Sequence, residues 1–239
     1  MFGHQYYHSI IRKYVIAFGN LFNDIVVQRF DKSGDRIQSI AVPIAYGPKE
    51  SFLVRLRQDP NLDSEVAITL PRMGFQIVGL NYSPNRKLSS TLRNNKAIAG
   101  QNRNNTQFVP VPYDFNFDLY VFVNNTSDGT QIIEQILPHF RPEFTTAINI
   151  IPEMDISVNT PVILESVDIE DLYEGDLITR QALIYNLSFK MTCYLFGPVL
   201  EKGTINQAMI SIGNLAVNEE LERVVVTESG TTINMDGFF

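Results

Sequence analysis

The sequence predicts an α+β fold: a mixed, largely antiparallel β-sheet flanked by a few helices, with a long projecting loop or hairpin and an extended C-terminal arm. Three observations predict it. Two stretches alternate apolar and polar residues with the period of a strand. The first carries Phe115, Phe117, Leu119, Val121 and Val123; the second carries Leu183, Tyr185, Leu187, Phe189, Met191 and Cys193. Two other stretches, near residues 9–22 and 128–140, place apolar residues in a helical stripe. Between these segments lie clusters of Gly, Pro, Asn and Asp that mark turns, and no repeat of about 20 to 50 residues argues for a solenoid.

The elements follow in chain order. Residues 9–22 read as a helix capped by Ser9, with Ile10, Tyr14, Phe18 and Leu21 on one stripe and Ile11, Val15 and Phe22 beside it. Ile25 to Phe30 and Arg36 to Ile44 are the arms of a hairpin closed by Asp31-Lys32-Ser33-Gly34. The stretch Val42-Pro43-Ile44-Ala45-Tyr46-Gly47-Pro48-Lys49-Glu50 is a strand-to-helix junction: Gly is tolerated at an N-cap and Pro is pre-organised for the first helical position. The short helix over 48–57 turns Phe52, Leu53 and Leu56 inward and ends at Asp59-Pro60-Asn61. Val66 to Tyr82 has strand character, but Pro71, Gly74 and Gly79 require an edge, a bulge or a bend. Residues 83–107 are rich in Asn, Ser and Arg without a period and read as a loop or projecting hairpin. Val109 to Val123 returns to strand. Asp128 and Gln131 stand at capping-box spacing and start a helix whose apolar face is Ile132, Ile133, Ile136, Leu137 and Phe140, ended or kinked by Pro138. Ile148 to Ile151 and Val162 to Ile169 are extended, and Arg180 to Phe196 is the longest strand. Past Val199, short β-branched pieces alternate with Gly, Asn and Glu as an arm. The division is one domain over 1–198, with 83–107 as its excursion, and an arm over 199–239.

The totals exclude several classes. A chain of 239 residues, 44% hydrophobic, suits one domain with a real core. A net charge of -7 opposes bulk affinity for nucleic acid. The single cysteine, Cys193, cannot form an intramolecular disulfide, fits a reducing compartment and reads as an inert buried thiol. Residues 1–7 lack the charged and apolar regions of a signal peptide, and no apolar run reaches the roughly 18 residues that span a bilayer, so no membrane partner is expected. His4 and His8 have the i,i+4 spacing of metal ligands, but no third ligand stands nearby and they read as an exposed turn. His139, between Pro138 and Phe140, caps or packs. Asp168, Glu170, Asp171, Glu174 and Asp176 do not follow the calcium-loop order and read as a solvated connection before the long strand, able to act as an acidic docking face. No nucleophile sits beside a base and no glycine run cradles a phosphate; neither enzyme activity, cofactor nor metal is expected.

Charge is distributed unevenly. Residues 83–107 hold five basic side chains (Arg86, Lys87, Arg93, Lys96 and Arg103) and no acidic one. From Val199 to Phe239 six acidic residues, Glu219, Glu220 and Glu222 among them, face only two basic ones. A basic excursion and an acidic arm on one chain invite ring-closing contacts between copies. This makes Arg86, Lys87, Arg93, Lys96, Arg103, Glu219, Glu220 and Glu222 candidate protein-interface residues. The competing readings are a solvated loop and a nucleic-acid-binding module; the second is weakened by the absence of Phe, Tyr or Trp from 83–107 for base stacking.

A set of words in the chain resembles a known family. Met1-Phe2-Gly3, the helix with Ser9, Arg12-Lys13-Tyr14 and Leu21-Phe22, Val42 through Phe52, Leu70-Pro71-Arg72-Met73 and Ile132 through Phe140 are similar, in order and spacing, to the tail sheath stabiliser and completion proteins of contractile-tailed bacteriophages. The resemblance covers about residues 1–195 and leaves the last forty or so unmatched. It implies a tail-terminator-like α+β fold and a structural virion protein, assembled in the host bacterial cytoplasm. It implies a homo-hexameric ring at the head-proximal end of the tail that caps the sheath, sits on the tail tube terminator and offers a docking surface to neck proteins. A tube terminator or neck connector of the head–tail junction is the nearest alternative, which the Val42 to Phe52 stretch disfavours.

Overall fold

The computed structural model describes residues 5–31, 36–57, 70–98, 103–173, 180–203, 207–214, 219–227 and 230–234. In chain order the elements are α1 (Ile10–Asn20), β1 (Val26–Phe30), β2 (Arg36–Ala41), β3 (Ile44–Tyr46), α2 (Lys49–Arg57), β4 (Arg72–Tyr82), β5 (Arg93–Ala97), β6 (Arg103–Phe108), β7 (Val111–Val123), α3 (Thr126–Ile136), β8 (Glu143–Ile151), β9 (Ile156–Tyr173), β10 (Arg180–Leu195), β11 (Leu200–Gly203), β12 (Gln207–Asn214), β13 (Glu219–Thr227) and β14 (Gly230–Asn234). The predicted α+β class is what is observed. The chain divides into two compact units, Met1–Ser89 with Pro110–Phe196 and Ser90–Val109 with Gly197–Phe239.

The first unit is built on a six-stranded sheet of order β3-β4-β7-β10-β9-β8. Every neighbouring pair is antiparallel except β3 and β4, which run parallel because α2 lies between them in the chain. Phe115, Phe117 and Leu119 of β7 pair with Met191, Phe189 and Leu187 of β10, so the two alternating stretches found in the sequence lie side by side and line one face. Helix α1 covers that face. The ring of Phe18 stacks on Phe117 with centroids 4.3 Å apart, Phe22 and Phe140 close around Phe189, and Tyr14 and Phe18 are fully buried. Helix α3 covers the end of the same face with Ile132 and Ile136. Burial on this scale is the main source of stability available to the unit.

On the opposite face α2 covers only one corner, where Phe52 joins Tyr120, Phe122 and Ile184. This is why β7 departs from simple alternation: near its C-terminal end both faces are buried. The corner closes tightly because residue 74 is glycine; a Cβ there would stand 2.5 Å from the Phe52 ring. The remainder of the face is polar.

Several local expectations are corrected. Ser9 precedes α1 in a left-handed conformation (φ 54) and caps nothing with its side chain; its carbonyl accepts the Lys13 N–H instead. Helix α3 starts at Thr126 with Asn125 at the N-cap, so Asp128 and Gln131 form no capping box. Each has a tertiary partner instead: Asp128 receives Arg29 at 2.7 Å, and Gln131 accepts the Gln28 N–H at 3.0 Å. Strand β9, with 18 residues, is longer than the 16-residue β10. Asp168, Glu170 and Asp171 lie within β9 and are no connecting loop. In β4 one of the expected alternatives is found, a bulge between Ile77 and Gly79; the strand starts at Arg72, after Pro71, with β3 paired along Met73 to Phe75, and Val66 to Thr69 lie outside the described residues. The hairpin turn at 32–35, the end of the 48–57 helix at Asp59-Pro60-Asn61, and His4, Glu174 and Asp176 lie outside the described residues.

The second unit holds a three-stranded sheet of order β11-β6-β5 and a meander β12-β13-β14, antiparallel throughout. The excursion and the arm, separated in the sequence reading, share this unit: Leu200 to Gly203 pair along Thr106 to Arg103. Neither strand shows hydrophobic alternation; a backbone ladder, which any residue but proline can build, joins them, with the Arg103–Glu201 ion pair across it.

Candidate assembly surfaces

The predicted basic residues divide into those held within the chain and those left available. Arg86 ends a 3-10 turn formed by Pro84–Arg86. Its guanidinium bonds the Asp114 carboxylate, the Tyr113 carbonyl at 3.1 Å and the Ser83 hydroxyl at 3.2 Å, and lies 5.2 Å from the Tyr194 ring centre. Lys190 approaches the same Asp114 at 3.4 Å. Arg86 is therefore an internal clamp between the start of the excursion and the β7 and β10 strands. Lys87, next to it, is exposed.

On the second unit Arg103 pairs with Glu201 at 3.3 Å, with both side chains 61% exposed, a geometry that contributes little. Arg93 lies over the Phe108 ring at 4.6 Å. Neither Arg93 nor the half-buried Lys96 makes an ion pair among the described residues. Gln107 is buried and donates to the Gly197 carbonyl at 2.6 Å, tying β6 to the segment before β11. Glu219, Glu220 and Glu222 take ladder positions opposite Asn214, Gly213 and Ile212; their side chains lie outside the described residues.

The uncovered sheet face of the first unit carries a polar network. Asp118 accepts the Ser188 hydroxyl at 2.9 Å, and Gln76 donates to the Tyr120 hydroxyl at 2.6 Å. Burial, together with the Asp118 charge, pushes the Tyr120 phenol up to about 12. Glu170 accepts Lys49 at 2.6 Å and Asn186 at 2.5 Å; the Lys49 hydrogen bond holds its carboxyl below the usual value. Cys193 is buried and its thiol is pushed up by desolvation. His139 follows α3 and lines an apolar cleft of about 300 Å³ with Phe22, Phe140 and Phe144. No group of three or more His, Cys, Asp or Glu among the described residues is placed to hold a metal ion, and no described helix is long and apolar enough to cross a membrane.

Among the exposed apolar side chains that escaped the sequence reading are Ile169 and Leu92. Ile169, on β9, is 62% exposed, and Leu92, just before β5, is 54% exposed. The signal that could have found them is an apolar residue set directly beside charges: Ile169 between Asp168 and Glu170, and Leu92 before Arg93.

Comparison with known proteins bears on the whole chain. A family model described as the T4-like virus Myoviridae tail sheath stabiliser matches residues 5–236. The match runs well past the point near residue 195 at which the motif resemblance stopped, and so spans both units. The tail completion protein gp15 of Enterobacteria phage T4 is 32% identical over 210 residues, an alignment covering 83% of this chain and 74% of that protein.

Proposed function

This chain belongs to the T4-like Myoviridae tail sheath stabiliser family, and from that premise we propose that it acts as a ring at the head-proximal end of a contractile tail, capping the sheath and presenting a docking surface for neck proteins. It is a structural protein of the virion tail. The family match over residues 5–236 carries the reading, because it takes in both units and not the sheet alone. The charge pattern supports it: copies that expose cationic side chains on one unit and carboxylates on another can join head to tail, and such heterologous contacts close into a ring. The partners in this reading are further copies of the chain, the sheath subunits, the tube terminator below and the neck proteins above.

The test is the mass of the purified protein across a salt series, with negative-stain images of the same sample and of tails assembled with and without it. The expected result is a closed ring of about six copies that weakens at high salt, together with sheaths that shed subunits when the protein is omitted. Sheaths equally stable without it would refute the proposal.

A further inference from the structure

We infer that neighbouring copies join by β-strand addition: the outer strand β5 of one copy pairs antiparallel with the unpaired half of β9 in the next. The inference deepens the ring reading and rests on it. Both edges are open among the described residues. Strand β5 ends the order β11-β6-β5. Strand β9 is flanked by β8 only from Ile156 to Ile163, while its continuation to Tyr173 pairs with β10 alone. An open edge presents unpaired N–H and C=O groups and is a template for another strand.

The charges select which edge meets which. Strand β5 carries Arg93 and Lys96, neither in an ion pair among the described residues. The open half of β9 carries exposed Glu165 and Asp168, the latter touched by the Ser166 hydroxyl at 3.4 Å. Two β5 edges repel each other, as do two β9 edges, whereas one of each attracts.

The spacing then fixes a register. The two cations are three residues apart and so are the two carboxylates. Antiparallel pairing that sets Arg93 opposite Asp168 brings Lys96 to Glu165, the bulged residue of β9. The same register brings Leu92 opposite Ile169, both exposed apolar side chains. A parallel arrangement matching the charges would leave Ile169 against Ala97 and Leu92 against Leu164. Because the two edges are different surfaces, each copy offers one of each, the condition for a closed head-to-tail ring.

The experiment uses two full-length variants, Leu92→Cys and Ile169→Cys, mixed under mild oxidation with tube and sheath present. Opposed cross-strand positions lie within disulfide reach, and the buried Cys193 thiol does not compete. The expected product is a mixed disulfide dimer that neither variant gives alone. It falls at least about tenfold when the Ile169→Cys chain also carries Asp168→Arg, and returns when the Leu92→Cys chain carries Arg93→Asp. Tails that display the ring in negative stain yet yield no mixed disulfide overturn the strand addition and leave the ring standing. Tails that never take up the protein overturn the ring reading itself. A mixed disulfide indifferent to both charge changes overturns the register.

Discussion

Replacing Gly129 with alanine sets two effects of opposite sign against each other. Residue 129 lies inside α3, where alanine is favoured over glycine by about 1 kcal/mol. A Cβ at this position, however, would stand 2.4 Å from Cε2 of Tyr185 and 2.9 Å from its Cζ and hydroxyl oxygen. Relaxed carbon contacts need about 3.5 to 4 Å, so helix and ring must part by roughly an ångström. Neither can move easily. Tyr185 is 5% exposed on β10, between β7 and β9. Helix α3 is fixed by fully buried Ile132, by Ile136 and by the Asp128 pair with Arg29. Overpacking costs about 1 to 3 kcal/mol, and an overlap this deep belongs at the upper end. The net is a loss of about 2 kcal/mol, or a fall in Tm of roughly 4 to 8 °C for a chain of this size. Thermal and urea unfolding followed by circular dichroism measure it. The control is Gly79→Ala, where the added carbon meets only Asn116 Nδ2 at 3.8 Å; it should hold or raise stability by up to about 1 kcal/mol. A Gly129→Ala protein as stable as its parent would show that α3 is loosely seated and that this account of its packing is wrong.

Other expectations concern single interactions. Tyr14 is fully buried, its hydroxyl donating to the Tyr194 carbonyl at 3.2 Å and accepting the Tyr194 N–H at 3.0 Å. Tyr14→Phe strands both backbone groups and should cost about 1 to 3 kcal/mol in denaturant unfolding. Arg86→Gln should lower Tm through the loss of its bonds to Asp114 and Tyr113, with ring formation at low temperature unchanged; a ring defect without a stability defect would return Arg86 to the interface. Arg103→Ala should change stability by less than about 1 kcal/mol, since its pair with Glu201 is exposed. Tyr14 and Tyr120 have phenols raised above the usual value of 10 by burial, Tyr120 to about 12. Between pH 10 and about 12 the folded Tyr120 keeps a proton that the unfolded chain has lost. Stability is therefore present below pH 10 and declines above it. Tyr120→Phe should flatten the alkaline decline, read by denaturant unfolding at a series of pH values above 10.

The parts of the fold that were legible are those in which one face alone is buried. Strands β7 and β10 pair over thirteen registered positions and, away from the corner under α2, bury one face alone, so their sequences alternate there. Helix α1 shows its stripe because Tyr14 and Phe18 meet the sheet and Ile11 and Ile16 do not. What stayed hidden depends on partners distant in sequence. Asp128 looks like a cap until Arg29, some hundred residues earlier, is seen to take it. The acidic run at Asp168 to Asp171 looks like a solvated loop because an exposed edge half of β9 has no burial to impose a period. The Asn-rich strands β5 and β6 pair through backbone groups that leave no hydrophobic signature, and β11 reaches them from nearly a hundred residues away.

The same distinction decides how far charge can be read. A count over residues 83–107 treats its five cations as equivalent. The structure removes two of them: Arg86 is held by Asp114, and Arg103 faces Glu201. Lys87, Arg93 and Lys96 remain, and of these only Arg93 and Lys96 lie on a strand edge, where their spacing acquires a direction and a register. Reversing Lys87 should then weaken association far less than reversing Arg93, although the two residues are alike in formal charge and close in sequence. Sedimentation of Lys87→Glu and Arg93→Glu at equal concentration and low salt separates the cases. Equal losses would mean that the excursion acts as a diffuse positive patch, attracting its neighbour without a strand register, whereas a loss confined to Arg93→Glu requires a defined partner at that position.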